Sequence, residues 1–169
     1  MRHIIAILLQ NESGALSRMA GLFSSRGYNI ESLSVSTTED PTVSRVTLVT
    51  TGSEAVIQQI AAQLYKLIDV VAVDDMTGDD HLERELALIK VRLRPEQREV
   101  AAARVQQAGG RVLNAAAEAY IVELTSGEAD INQFVRDMES CGELVEVVRS
   151  GALGILRRAR SLHVVAEPP

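Results

Sequence analysis

Tryptophan is absent from the chain and aromatic residues make up only 3% of it, so stacking platforms for bases or sugars are scarce. Basic charge is in deficit as well: 17 Lys and Arg stand against 23 Asp and Glu, a formal net charge of −6. The basic face that nucleic acids or anionic membranes require is therefore missing. The one cysteine, Cys141, excludes an internal disulfide framework and any multi-cysteine metal site, and it reads as a small buried apolar residue. No apolar stretch approaches the roughly 20 residues of a membrane span. The run inside the N-terminal MRHIIAILLQNESG is brief and has no small-residue cleavage pattern, which predicts a cytoplasmic protein. Catalytic signatures are lacking too. There is no Walker A sequence, no GxGxxG after a strand and no HExxH. His3, His81 and His163 lie far apart without metal spacing, and Ser13, Ser17 and Ser24 have no identifiable His or Asp partner. Small molecules and proteins are left as partners.

What is present is aliphatic. A hydrophobic content of 46% is enough for packed cores filled by Val, Ile, Leu and Ala, and the spacing of these residues can be read. His3 to Leu9 is a continuous apolar run of the kind buried inside a sheet. Leu16, Met19, Ala20 and Phe23 follow at i, i+3, i+4, i+7, and Gly27 stands where a left-handed residue ends a helix. Ile30 to Thr38 alternates Leu33 and Val35 with serines, and Glu39-Asp40-Pro41-Thr42 supplies turn chemistry. Val43 to Thr51 returns as a β-branched strand. Ile57, Ile60, Ala61 and Leu64 repeat the helical spacing after Ser53, and Ile68 to Val73 is a further strand. The order is βαββαβ.

The same grammar begins again after the acidic, glycine-containing stretch Asp74 to Asp80. Leu82 to Leu93 is strand-like, Pro95 opens a helix carrying Val100, Ala101 and Val105, and Gly109-Gly110 ends it. Arg111 to Asn114 and Tyr120 to Thr125 pair as strands, Ile131, Phe134, Val135 and Met138 mark another helix, and Glu143 to Val148 is a last strand. The expected fold class is α+β, with two tandem ferredoxin-like βαββαβ sandwiches. The domains are placed at 1–76 and 83–163, with a linker at 77–82 and a tail at 164–169. In this topology the second strand lies at a sheet edge. It carries no Lys or Pro to prevent pairing with another copy, so a symmetric dimer through that edge is expected. Arg149, Arg157, Arg158 and Arg160 form a basic cluster near the C-terminus, read either as a solvated end or as a docking patch for an acidic surface.

Between the first strand and first helix lies Asn11-Glu12-Ser13-Gly14. Ser13 is the expected N-cap, with no acidic residue at position 16 to complete a capping box. The first-turn amides and the helix dipole would then be open to a carboxylate without any cationic side chain, and Gly14 permits close approach. Asn29 stands just beyond the other end of the helix, on the order of 20 Å away within one chain. A single small ligand can touch both ends only if two chains meet about a twofold axis. Amides for a carboxylate, Asn side chains for an amino group and aliphatic side chains together suit a branched-chain amino acid.

The stretch NESGALSRMAGLFSSRGYNIESLSVSTTEDPTVSRVTLVT resembles the first domain of the acetolactate synthase (acetohydroxyacid synthase) small regulatory subunits, an ACT-domain family. The elements Ser13 to Arg18, Arg26 to Leu33 and Asp40 to Arg45 carry the likeness, which runs on through EREL to VVRSGALGI. The resemblance implies an N-terminal ACT domain for effector binding and dimerisation, followed by a C-terminal ferredoxin-like domain. It further implies a homodimer, itself non-catalytic and without cofactor, that activates a separate large subunit carrying thiamine diphosphate, Mg²⁺ and FAD. The small subunit would confer feedback inhibition by valine or a related branched-chain amino acid. By the same resemblance Asn11, Gly14, Ala15, Leu16 and Ser17 of one subunit and Asn29, Ile30 and Val35 of the other form the effector site. An amino-acid-sensing transcriptional regulator is the alternative, although no helix-turn-helix or basic recognition helix is visible; a small stand-alone ferredoxin-like enzyme is a further one.

Overall fold

The apolar run after Met1 becomes strand β1 (Arg2–Gln10), buried from His3 to Leu9. Its period-2 alternation sends Ile5, Ile7 and Leu9 into one core and Ile4 and Ala6 into another. β1 is central to the first of two compact units in the computed structural model, which describes residues 1–157 and 162. This unit continues through α1 (Ala15–Ser25), β2 (Ser32–Thr37), β3 (Val43–Thr51), α2 (Glu54–Leu64) and β4 (Val70–Asp75). All pairings in its sheet are antiparallel, in the order β2-β3-β1-β4. The second strand lies at an edge, as the topology requires.

Both helices cover one face of this sheet. α2 buries Ile57, Ile60 and Leu64 and is capped by Ser53, whose Oγ accepts the Val56 N–H. α1 buries Ala15, Met19 and Phe23, whereas Leu16, expected on the apolar stripe, is 40% exposed. The buried stripe follows i, i+4, i+8 and leaves Leu16 on its rim. α1 ends in a Schellman motif: Tyr28 N–H donates to Phe23 O and Gly27 N–H to Ser24 O, with Gly27 at φ 69°. The Tyr28 ring meets Phe23 edge-on at 6.3 Å, the apolar contact that accompanies this motif. The β2–β3 turn is built as its residues predict. Asp40 Oδ1 accepts both the Thr42 N–H and the Thr42 hydroxyl, and Val43 N–H returns to Asp40 O.

The second unit, Glu83–Gly151, repeats the plan. It comprises most of β5 (His81–Leu93), a 3₁₀ turn at Pro95–Gln97, α3 (Arg98–Gln107), β6 (Arg111–Asn114), a 3₁₀ turn at Ala117–Ala119, β7 (Tyr120–Ser126), α4 (Glu128–Glu139) and β8 (Gly142–Arg149). The strand path is β6-β7-β5-β8, the same permutation as in the first unit. Ala101 and Val105 of α3 and Ile131, Phe134 and Met138 of α4 pack on Ile89, Val91, Val122 and Leu124. Val100 is exposed. Cys141 is fully buried in this core, its thiol donating to Asp137 O.

A last strand, β9 (Leu153–Leu156), was not expected from the sequence. The expected second domain runs to residue 163, but the described residues from Ala152 to Arg157 group with the first unit. Ala152 and Leu156 join Ile4, Ala6, Val49 and Met76 on the face of the first sheet opposite its helices. Gly151 turns the chain at φ 80°, Ala152 N–H donates to Ser32 Oγ at 2.9 Å, and a Cβ on Gly154 would stand 2.5 Å from the Met76 methyl. A side chain at 154 would have to displace the ends of Met76 and Ile4. Arg158, Arg160, His163 and the tail 164–169 lie outside the described residues.

Candidate functional site

At the start of α1 the N-cap is Gly14, not Ser13. Gly14 is left-handed, with φ 87° and ψ −12°, and no side chain caps the helix. An L side chain is strained in that conformation, so glycine's freedom, more than a cap hydroxyl, sets the helix start. Ala15 N–H donates to Glu12 O at 3.2 Å. The Leu16 and Ser17 amides take no hydrogen-bond partner among the described residues, which leaves two donors at the positive end of the helix dipole.

A cation not expected from the sequence also stands here. Arg18 donates through Nε to Asp69 Oδ2 at 2.6 Å and through Nη2 to Asp69 Oδ1 at 2.8 Å. Asp69 is 3% exposed and the Arg18 side chain 48% exposed, so a buried carboxylate holds a partly solvated guanidinium in a bidentate grip. The hydrogen bond from Arg18 keeps Asp69 below its ordinary pKa, against the upward push of burial. Arg18 Nη1 lies over Gly14: a Cβ added there would be 2.8 Å from it. The available signal was the i, i+4 spacing from Gly14 to Arg18, which stacks the two on one helix face.

Asn11 sits at the end of β1 against the β2–β3 turn, its N–H donating to Thr42 O at 2.7 Å and its Nδ2 to Pro41 O at 3.0 Å. It therefore anchors the hairpin as well as flanking the helix start. A cleft of about 490 Å³ opens here, lined by Gln10, Asn11, Glu12, Asp40, Pro41, Thr42, Val43 and Val71. Glu12 and Asp40 make its rim acidic, and neither Gly14 nor the open amides line it. Of the other expected site residues, Ala15 is 1% exposed and belongs to the core, while Ser17 is exposed. Leu16 at 40% and Val35 at 41% offer apolar surface to solvent.

Asn29 and Ile30 lie at the other end of α1, before β2 begins. Asn29 is exposed and its carbonyl accepts the Thr50 hydroxyl at 2.6 Å, whereas Ile30 packs against the helix-side core. The 11 residues of α1 separate Asn29 from Gly14 by about 16 Å of helix. Within one chain the two groups stay apart, as expected.

The two edges of the first sheet differ. At β4 the Tyr65 hydroxyl donates to Val73 O at 2.9 Å and accepts the Val73 N–H at 3.2 Å, so this edge is already met by a side chain. β2, the opposite edge, has neither lysine nor proline between Ser32 and Thr37. Among the described residues no group of His, Cys, Asp and Glu is arranged to hold a metal, and no helix is long and apolar enough to cross a membrane.

Residues 5–72 match the family profile of the AHAS small subunit-like ACT domain, and residues 84–158 that of the small subunit of acetolactate synthase. The acetolactate synthase isozyme 3 small subunit of Salmonella typhimurium is 43% identical over 93% of this chain and 96% of its own length. That of Escherichia coli is 42% identical with the same coverage. The crystal structure of the acetolactate synthase small subunit from Thermotoga maritima superposes with a TM-score of 0.84 at 30% identity, covering 95% of this chain and 99% of the other.

Proposed function

The chain belongs to the family of acetolactate synthase small subunits, non-catalytic regulatory partners of a transferase, and from that premise we propose that it binds valine at a site shared by two copies. Its partner is the catalytic subunit, on which the thiamine diphosphate, Mg²⁺ and FAD of a cytoplasmic holoenzyme reside. The observation that supports the proposal is that the candidate residues fall into two groups at opposite ends of β2. The open amides of Leu16 and Ser17, with Arg18 and Asn11, lie at the hairpin end; Asn29 lies at the other. If two β2 edges pair antiparallel about a twofold axis, the Asn29 of each copy comes to the α1 start of its mate.

Each group then has a role. The amides, reinforced by Arg18, receive the carboxylate; the Asn29 carbonyl oxygen of the side chain accepts from the amino group; Leu16 and Val35 enclose the aliphatic side chain. Valine acts on the catalytic subunit only through unequal affinity for two arrangements of this interface, with a coupling of about 1–3 kcal/mol. The test is acetolactate synthesis by the catalytic subunit with and without this chain across titrations of valine, leucine and isoleucine. The chain should raise the activity and valine should lower it again. Activation without any response to the three amino acids would sink the effector reading, and absence of activation the regulatory one.

A further inference from the structure

A second cleft lies in the first unit on the sheet face away from α1 and α2, its lining mixing polar side chains with apolar surface that includes Leu153. It encloses about 240 Å³ and is walled by Ser34 and Ser36 of β2, Arg45 and Thr47 of β3, and Gly154 of β9. The register explains the lining. Leu33 points to the helix-side core, so Ser34 and Ser36 point to the other face, directly opposite Thr47 and Arg45. Glu39 also lines the cleft.

Arg45 is half-buried and, among the described residues, makes one hydrogen bond, from Nη2 to Gly154 O at 2.9 Å. Among the described residues no carboxylate reaches it as an ion pair. Burial lowers its pKa, opposed by the more distant pull of Asp74. Such a guanidinium has lost much of its water without gaining a counter-ion, and its remaining donors form a planar fork suited to a carboxylate or phosphate.

We propose that this cleft binds a small oxyanion, a carboxylate or a phosphate, between the Arg45 guanidinium and the hydroxyls of Ser34, Ser36 and Thr47. The volume admits an ion of a few heavy atoms and falls below the range of about 300–1,000 Å³ typical of sites for larger ligands. Glu39 and Asp74 disfavour a polyanion. Because Arg45 also grips β9 through Gly154 O, the bound ion would tighten β9 onto the sheet. It would also stiffen β2 from the face opposite Val35, a second input to the same edge that is independent of the effector.

The experiment is an NMR titration of the full chain with acetate, pyruvate and inorganic phosphate at constant ionic strength. Saturable shifts are expected at the amides of Ser34, Ser36, Thr47 and Gly154 for at least one anion, and the anion that saturates identifies the class. Arg45→Gln should weaken that affinity at least about tenfold, with Arg45→Lys intermediate. If Arg45→Gln does not fold, the Ser34→Ala/Ser36→Ala double variant decides, with a several-fold weakening expected. Shifts that never saturate, or that persist unchanged in these variants, would mean non-specific anion effects and overturn the proposal. Gly14→Asp should leave the titration intact, so failure at this cleft and failure at the effector site are separable.

Discussion

Gly14 carries three constraints at once: a left-handed backbone, a helix start and contact with Arg18. Gly14→Asp should cost about 1–3 kcal/mol of stability through backbone strain, displace Arg18 and repel a carboxylate. We expect a folded subunit that still activates the catalytic subunit while its activity no longer responds to valine; full inhibition in that variant would count against the site. Asp69 makes a prediction in pH. Its folded pKa lies below the unfolded value because Arg18 donates to the charged form. The contribution of the pair is therefore fully present above about pH 4, the ordinary carboxylate range, and is lost as pH falls through the lower folded value. Asp69→Asn should be less stable than the parent near neutrality, and urea titrations should show that gap narrowing below about pH 4. At this scale the sequence pointed to the helix start and to Gly14. It did not reveal Arg18 as part of the site, because Asp69, its partner, is 51 residues away in the chain.

Among the elements, the contrast between β2 and β4 bears most on function. Periodicity located both strands, and topology put β2 at an edge, but only the packed structure shows Tyr65 closing the edge of β4. Val35→Lys, which places an inward-facing charge in the middle of β2, should shift the chain toward monomer in sedimentation equilibrium and remove valine binding with it. Tyr65→Phe opens β4 without altering β2. It should cost about 1 kcal/mol and leave effector binding unchanged while raising the tendency to associate. Loss of dimer in Tyr65→Phe but not in Val35→Lys would reverse the assignment of edges.

For the whole molecule, a shared site predicts complementation. A mixed dimer of one Gly14→Asp chain and one Asn29→Ala chain collects both changes in one site and leaves the other intact. Calorimetry should then give about one strong valine site per dimer, against none in the Gly14→Asp homodimer. β9 supplies a second test at this scale. A chain ended at Gly151 uncovers Ile4, Ala6, Val49 and Met76, and burial of side chains the size of Ile, Val and Met is worth about 1.5–3 kcal/mol each. Faster hydrogen exchange in β1 and β3 than in the full chain is the expected outcome.

The sequence by itself determined the βαββαβ repeat, the edge position of β2, the glycine that ends α1 and the family, because these depend on local periodicity, turn chemistry and contiguous motifs. The tertiary structure decided the cap at Gly14, the Arg18–Asp69 pair, the closing of β4 by Tyr65 and the packing of β9 residues on the face of the first sheet. Each of these joins residues distant in sequence or turns on which side of an element a small residue falls. Spacing along the chain carries the periods of helices and strands, whereas contacts between elements arise only when packing brings their faces together.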